Sequence, residues 1–208
     1  MIPIGDDDRA SRTVPFVSYV LIAINVLVFM VELSGGEAFI MKWAFIPSRF
    51  TANPVNDSVT LFSSMFMHAG WLHLGGNMLY LWVFGDNVED RFRHVNFIIF
   101  YLLSGVAATF TQLTFSLGSD IPNLGASGAI AGVLGAYILM FPQKRVTVLL
   151  GRVVTQMPAL IVLGFWFILQ FFSGIGSIAV SSETGGVAYM AHIGGFVAGF
   201  VLALFLKD

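Results

Sequence analysis

Long runs of apolar residues, each ending at polar residues, glycine or proline, divide the chain into six predicted membrane spans. Apolar runs of about 20 residues suit helices that cross a bilayer. The runs cover residues 14–33, 71–87, 95–117, 127–141, 157–172 and 187–206. The pattern predicts an all-α integral membrane protein with six transmembrane helices. We expect a single domain over residues 1–208, because neither a separate soluble segment nor an internal repeat stands out.

The connection between the first two spans, residues 34–70, is the longest predicted loop. It holds several prolines and a second, shorter apolar run at residues 61–67. Seven residues are too few to cross the hydrocarbon core. We therefore expect this run to lie at the membrane interface or to dip into it.

Composition supports the membrane interpretation and excludes several kinds of site. Of the 208 residues, 57% are hydrophobic and only 11% are charged. Cysteine is absent, which excludes disulfides, a thiol nucleophile and a cysteine-ligated metal. The ten Lys and Arg residues are scattered, so no nucleic-acid partner is expected. The polar N-terminal residues lack the cationic start and the cleavage site of a signal peptide.

The charges of the loops predict the orientation in the membrane. If the N-terminus is inside, only Lys42 and Arg49 lie on the outer side. The eight residues on the inner side are Arg9, Arg12, Arg91, Arg93, Lys144, Arg145, Arg152 and Lys207. Short loops rich in Lys and Arg stay on the cytoplasmic side. We expect a cell-membrane protein with both termini in the cytoplasm.

Two polar side chains in separate spans fall at the same predicted depth. Ser127 lies fifteen residues before Pro142, and His192 lies fifteen residues before Lys207. At about 1.5 Å per residue, each is ~22 Å above the inner face of the membrane. In a hydrocarbon core ~30 Å thick, that is ~8 Å below the outer face.

The second span adds two polar groups near this level. The same arithmetic puts His73 ~10 Å and Asn77 ~16 Å below the outer face. A span that begins at Ser127 cannot reach the outer face, so residues 118–126 must descend into the membrane. Irregular backbone at that depth has to be buried in protein or line a polar cavity. We expect a water-accessible pocket there, opening to the outer side.

Ser127 and His192 have the chemistry of a nucleophile and its base. A serine hydroxyl becomes nucleophilic when a neighbouring base takes its proton. Glycines at helical spacing give both spans a small face, which lets the two backbones approach closely. These glycines are Gly128 and Gly132 on the fourth span and Gly195 and Gly199 on the sixth. No carboxylate is expected beside the pair, so we interpret it as a dyad.

Acyl transfer also requires donors for the developing oxyanion. His73 and Asn77 are four residues apart and share one face of the second span. The Ser127 amide stands at a helix N-terminus, where backbone N–H groups have no intrahelical acceptor. His68, at the start of the second span, is expected to line or hydrate the site.

Each of these polar groups also has a plainer interpretation. A single histidine or asparagine in a membrane helix often bonds to a neighbouring helix. Three histidines could hold zinc, but a His-Glu-x-x-His helix and a nearby acidic ligand are missing. A transporter with a proton relay through His73 and His192 would favour inverted repeats, which the sequence lacks. The common depth favours a catalytic site.

Three motifs resemble those of the rhomboid intramembrane serine proteases. They are the HAGWLHLGGN run at residues 68–77, GASG at 125–128 and AHIGG at 191–195. The resemblance covers nearly the whole chain and implies a six-helix rhomboid bundle with a long first outer loop. It implies a short fourth helix bearing the serine, with Ser127 and His192 as the catalytic dyad. The residues implied around them are Asn77, His73 and the Ser127 amide as the oxyanion hole, and His68, Gly125, Ala126 and Gly128 as the lining.

The resemblance also implies a substrate and a gate. Members of this family cut the transmembrane helices of single-pass membrane proteins near their outer ends, without a cofactor or a metal. The fifth helix and the loop over the site would gate access, and the aromatic residues proposed to face that gate are Phe165, Trp166, Phe167 and Phe171. The chain differs from many members in having Ala131 where an aromatic ring stacks on the histidine. It also lacks a Trp-Arg pair in the first long loop.

The main alternative is a non-catalytic relative that binds membrane helices for quality control. Such relatives lack the serine or the histidine, whereas this chain has both.

Overall fold

A computed structural model describes residues 1–6, 13–179 and 187–206. Arg9, Arg12 and Lys207, which were counted among the positive charges on the inner side, lie outside the described residues. Within the described residues the chain forms nine α-helices, a short 3-10 helix and three β-strands. In chain order they are β1 (Ile2–Asp6), α1 (Phe16–Trp43), α2 (Pro47–Ala52), α3 (Pro54–Asp57), α4 (Thr60–Ser63), the 3-10 helix (Ser64–Phe66), α5 (Trp71–Phe92), α6 (His94–Phe115), α7 (Ser127–Met140), β2 (Arg145–Leu150), β3 (Val153–Pro158), α8 (Ala159–Ala179) and α9 (Tyr189–Leu206).

In the part of the chain that the structure describes, four helices are long and apolar enough to cross a membrane, namely α1, α6, α9 and residues Ala159–Gly176 of α8. α7 is also apolar but has only 14 residues. α5 has 22 residues and carries four charged side chains in its last two turns. α8 continues past Phe172, where the apolar run suggested its end, to Ala179.

The first helix is longer than its apolar run predicts. The prediction that it ends at Leu33 is wrong, because α1 continues to Trp43 with a break at Gly36. Gly36 has φ 59° and ψ −151°, a conformation that glycine adopts without the steric cost of a Cβ. The next residues favour helix again, so a second helical piece forms beyond the break. The connecting loop therefore begins ten residues later than expected.

Arg49 anchors this loop in place of the missing Trp-Arg pair. Its Nε donates to Asp57 Oδ1 at 2.7 Å, and its two terminal nitrogens donate to the carbonyls of Met41 and Ala44. One guanidinium thus joins α2, α3 and the end of α1. A planar cation with five donors is suited to holding several acceptors in a fixed arrangement.

A three-stranded antiparallel sheet corrects the all-α prediction. β2 pairs with β1 on one side and with β3 on the other, in the order β1-β2-β3. Val146 and Val148 alternate with exposed or half-exposed residues and face the core, as β-branched residues do in strands. Gly151, with φ 61°, is the first of the two turn residues between β2 and β3. A positive φ at that position suits a type II′ hairpin turn.

A buried carboxylate fixes the start of α1 against α5. Glu89 is fully buried and accepts hydrogen bonds from the backbone amides of Val17 and Ser18 and from the Ser18 hydroxyl, at 2.7–2.8 Å. These amides lie in the first turn of α1, where a negative charge is also favoured by the helix dipole.

α7 is the central helix, and ten of its 14 residues are buried. It packs on α9 through the glycines that the sequence places face to face. A Cβ added to Gly195 would collide with the Gly128 carbonyl, and one added to Gly199 would collide with the Gly132 backbone. The predicted close approach of these two helices is therefore confirmed. This close approach of α7 and α9 sets the distance between the side chains at the N-terminal ends of the two helices.

Candidate active site

The loop before α7 brings Ser127 into the protein interior. Phe45 and Asn123 form an isolated antiparallel bridge, and Ser48 N donates to the Ser119 carbonyl. Gly125 N then donates to the Ser64 carbonyl at 2.9 Å, immediately before α7 begins. The irregular segment is thus supported by the first loop.

Ser127 and His192 meet at the ends of α7 and α9. His192 Nε2 lies 2.8 Å from Ser127 Oγ, a normal hydrogen-bond distance. The other ring nitrogen, Nδ1, lies 2.7 Å from Oε1 of Gln170 on α8. An amide oxygen can only accept, so Nδ1 carries the proton and Nε2 has a free lone pair. In this tautomer the Ser127 hydroxyl donates to His192, as a nucleophile does to its base.

Aromatic rings on two helices enclose the His192 imidazole. The Trp166 ring of α8 lies 5.9 Å from it with an interplanar angle of 33°, and the Tyr189 ring contacts it edge-on at 6.4 Å. Trp166 therefore supplies an aromatic contact that residue 131, an alanine, does not. This contact of Trp166 was not predicted from the sequence, and no role was predicted for Gln170.

Only part of the proposed aromatic gate is turned outward. Trp166 and Phe167 pack on Phe196 of α9. Phe165 and Phe171 are exposed on α8, about half of each side chain being accessible.

His73 lies beside Gly125 and Ser127. A methyl group added to Gly125 would be 2.9 Å from His73 Nε2 and 3.5 Å from Ser127 Oγ. His73 Nδ1 accepts a hydrogen bond from the Ala69 amide at 3.3 Å, so its proton is on Nε2, the nitrogen nearest Gly125. His73 thus presents a donor close to the serine.

Asn77 lies one turn after His73 on the same helix and is buried. Its side-chain Nδ2 has no acceptor within the described part of the protein. His68 is buried too, and its ring contacts His73 edge-on at 5.1 Å. Neither ring nitrogen of His68 has a hydrogen-bond partner among the described residues, so its contact with the site is through the His73 ring.

A cavity of about 40 Å³ borders Ser127, large enough for water molecules. Of the four residues proposed to line the site, Gly125 and Gly128 border this cavity, whereas Ala126 and His68 are buried outside its lining. The polar side chains on its wall are Ser64, Thr109, Gln112, Asn123 and Ser127.

Among the described residues the buried carboxylates are Glu32, Asp57 and Glu89, and none of them forms an ion pair with His192. Asp57 is paired with Arg49. Glu32 accepts from the His68 amide at 2.9 Å, and Glu89 binds the start of α1. Within residues 1–6, 13–179 and 187–206, no group of three His, Asp or Glu side chains is arranged to hold a metal ion.

Comparison with known proteins gives a family match. A model of the rhomboid domain matches residues 56–208. The chain is 28% identical over 194 residues to mitochondrial rhomboid protein 1 of Saccharomyces cerevisiae, covering 91% of this chain and 53% of that protein. It is 29% identical over 191 residues to the rhomboid protease GluP of Bacillus subtilis, covering 91% and 34%.

The human mitochondrial presenilin-associated rhomboid-like protein is 30% identical over 134 residues, covering 62% of this chain and 34% of that protein. The chain therefore spans between about a third and a half of the length of these relatives.

Proposed function

The chain belongs to the rhomboid family, and we propose that it is an intramembrane serine endopeptidase. Its substrates would be single-pass membrane proteins, cleaved within their transmembrane segments by a dyad of Ser127 and His192. The observation that carries the proposal is the 2.8 Å contact between Ser127 Oγ and His192 Nε2, with Nδ1 held by an acceptor. The similarity to a relative named as a rhomboid protease supports it.

The reaction follows from these positions. His192 Nε2 takes the Ser127 proton as the oxygen attacks the substrate carbonyl, and it later gives that proton to the leaving amine. The oxyanion would receive hydrogen bonds from the Ser127 amide, His73 Nε2 and Asn77 Nδ2, each aimed at charge that develops in the transition state. Water then releases the acyl group from Ser127, with His192 again acting as the base.

We infer a single domain with six spans, comprising α1, α5, α6, the short α7 that bears the serine, α8 and α9. Loop charge supports a cell-membrane orientation with both termini in the cytoplasm and the active site open to the outer side. The helix ends and connections assigned to the inside carry Arg91, Arg93, Lys144, Arg145 and Arg152. On the outer side, the first long loop carries Arg49 and the last turn of α1 carries Lys42.

The substrate must unwind where it is cut. A peptide bond within a membrane helix is protected by the helix's own hydrogen bonds, so glycine or proline near the cut should favour cleavage. The partners are therefore the lipid bilayer and single-pass proteins whose transmembrane helix is weakened by glycine or proline near its outer end.

The alternative is a non-catalytic protein that binds membrane helices, for which the same bundle would serve. It predicts binding of a model substrate without release of products. Both active-site residues are present, so the protease is the favoured proposal.

The test is cleavage of a model single-pass substrate by the purified protein in liposomes. Wild type is compared with Ser127→Ala and His192→Ala, and with Ser34→Ala as a control serine on the exposed side of α1. We expect cleavage by wild type and Ser34→Ala, with ends inside the outer part of the substrate span, and a loss of at least about 10³-fold in the other two.

Equal cleavage by all four proteins would reveal a contaminating protease and remove support for the dyad. If none cleaves, labelling by a serine-directed fluorophosphonate decides the question. A wild type that remains unlabelled, like Ser127→Ala, would favour the non-catalytic alternative.

A further inference from the structure

Gln170 is an unusual residue for its position in α8. Residues 159–176 form a span with a mean hydropathy of 2.0, and Gln170 is the only amide side chain in it. A primary amide in such a helix costs free energy unless it is hydrogen-bonded. Its Oε1 is bonded to His192 Nδ1 at 2.7 Å, on a neighbouring helix. The hydrogen bond that offsets this cost is made to one specific atom, Nδ1, of the proposed catalytic base.

Gln170 and Trp166 contact the same imidazole from one face of α8. They are four residues apart, so their side chains lie one above the other on the helix. One more turn along, a Cβ on Gly174 would be 2.7 Å from the Met190 side chain and 3.3 Å from Tyr189 Cβ. α8 and α9 are therefore in close contact on this face, and His192 is fixed by both a ring contact and a hydrogen bond.

We propose that Gln170 is a positioning residue that holds His192 with the proton on Nδ1 and the lone pair of Nε2 directed at Ser127. The inference rests on the proposed function and deepens it, because the dyad then works with a third, uncharged residue. No carboxylate among the described residues contacts His192. The carbonyl oxygen of Gln170 takes the orienting place that a carboxylate has in a triad.

The direction of the amide matters for the chemistry. With Oε1 towards His192, Nδ1 donates and Nε2 accepts the Ser127 proton. A reversed amide would donate to Nδ1, and the imidazole proton would then lie on Nε2, facing Ser127. That tautomer cannot serve as a base for the serine. The acceptor at residue 170 therefore selects the active form.

The test removes the acceptor while keeping the size of the side chain. Gln170→Met should lower kcat for the liposome substrate by roughly 10–100-fold, with KM changed by less than about twofold. The rate of fluorophosphonate labelling of Ser127 should fall by the same factor. Gln170→Glu, which retains an acceptor oxygen, should recover at least about a third of the lost rate. Gln156→Met makes the same change on the exposed strand β3 and should leave both rates unchanged.

A direct readout of the tautomer separates this inference from the proposed function. In protein labelled with ¹⁵N-histidine, the His192 signals are identified by their loss in His192→Ala. They should report a protonated Nδ1 in wild type and in Gln170→Glu, and a mixture of tautomers or the reverse tautomer in Gln170→Met.

The possible failures are distinguishable. If wild type does not cleave the substrate but loses its Nδ1 proton on Gln170→Met substitution, the proposed protease function is wrong and the inference about Gln170 stands. If Gln170→Met has the kcat of wild type and the same His192 tautomer, the inference about Gln170 is wrong and the proposed protease function stands. If Gln170→Met does not fold, a Gln170→Glu protein with a protonated Nε2 would equally overturn the inference.

Discussion

At the scale of single residues, the reactivity proposed for Ser127 would depend on groups from three other helices. His192 comes from α9 and Gln170 from α8, and hydrogen bonds join Gln170 to His192 and His192 to Ser127. His73 comes from α5, and its ring lies against Gly125, two residues before Ser127. A shift of about 1 Å in such an arrangement can cost about 10²-fold in rate. The small residues around Ser127 therefore belong to the site as much as the polar ones do.

Gly125 is the small residue for which this dependence is easiest to test. It has φ 134°, which side-chain-bearing residues rarely adopt, and an added Cβ would be 2.9 Å from the His73 ring. Gly125→Ala should reduce cleavage by about 10–100-fold, because His73 has to move away from the oxyanion position. The measurement is the cleavage rate, compared with the melting temperature of the same preparation.

Gly118→Ala is the matched control, since Gly118 also has a positive φ, 77°, but no atom within 4 Å of an added Cβ. It should cost about 1–2 kcal/mol of stability and leave activity intact. Equal losses of activity in both variants would attribute the effect to backbone strain in the loop and not to His73.

The candidate nucleophile and base were predictable at this scale because burying a polar group in an apolar membrane helix costs free energy, so such groups are few. Gln170 satisfied the same criterion, being a lone amide four residues after Trp166 in an apolar run, but its partner lies on another helix. No local spacing predicts which face of α8 meets α9. For the same reason Trp166 was predicted to face the substrate gate, and its contact with the His192 ring was not predicted.

At the scale of elements, the contact between α7 and α9 determines how Ser127 and His192 lie relative to each other. Gly132 lies five residues after Ser127 and Gly199 seven residues after His192, and these two glycines face each other with no room for a Cβ. Gly199→Ala should destabilise the protein by about 1–3 kcal/mol and lower cleavage, because α9 has to move away and take His192 with it. Thermal unfolding in detergent and cleavage below the unfolding transition measure the two effects.

Gly164→Ala serves as the comparison, because nothing lies within 4 Å of an added Cβ at this position of α8. Alanine is a better helix former than glycine by up to about 1 kcal/mol, so this variant should be neutral or slightly stabilised. A Gly199→Ala protein that behaved in the same way would contradict the close approach.

The apolar runs predicted which elements are helical, but not how each one ends. Gly36 changes the direction of α1 and lets a helix continue where glycine suggested an end. The sheet was missed because β1 is five residues long and its partner lies more than 130 residues away. β2 and β3 each have six residues, and their apolar positions form runs too short to stand out beside those of the predicted spans.

At the scale of the whole molecule, the proposed orientation can be tested with single cysteines, because the chain has none of its own. Asn53 and Gln143 are exposed on the first long loop and on the connection between α7 and β2. Asn53→Cys should react with a membrane-impermeant maleimide in intact cells, and Gln143→Cys only after the membrane is opened. The reverse pattern would contradict the orientation inferred from loop charges.

The pairing of β1 with β2 has a consequence for how the protein is made. Ile2 pairs with Leu149, so β1 leaves the ribosome long before its partner. At 5–20 residues per second, the wait is roughly 7–30 s, during which α1, α5, α6 and α7 are synthesised. Throughout that time β1 has unpaired backbone groups that a chaperone or another nascent chain can bind. The sheet on this side of the bundle therefore closes late in biogenesis, after the helix that carries Ser127 has been synthesised.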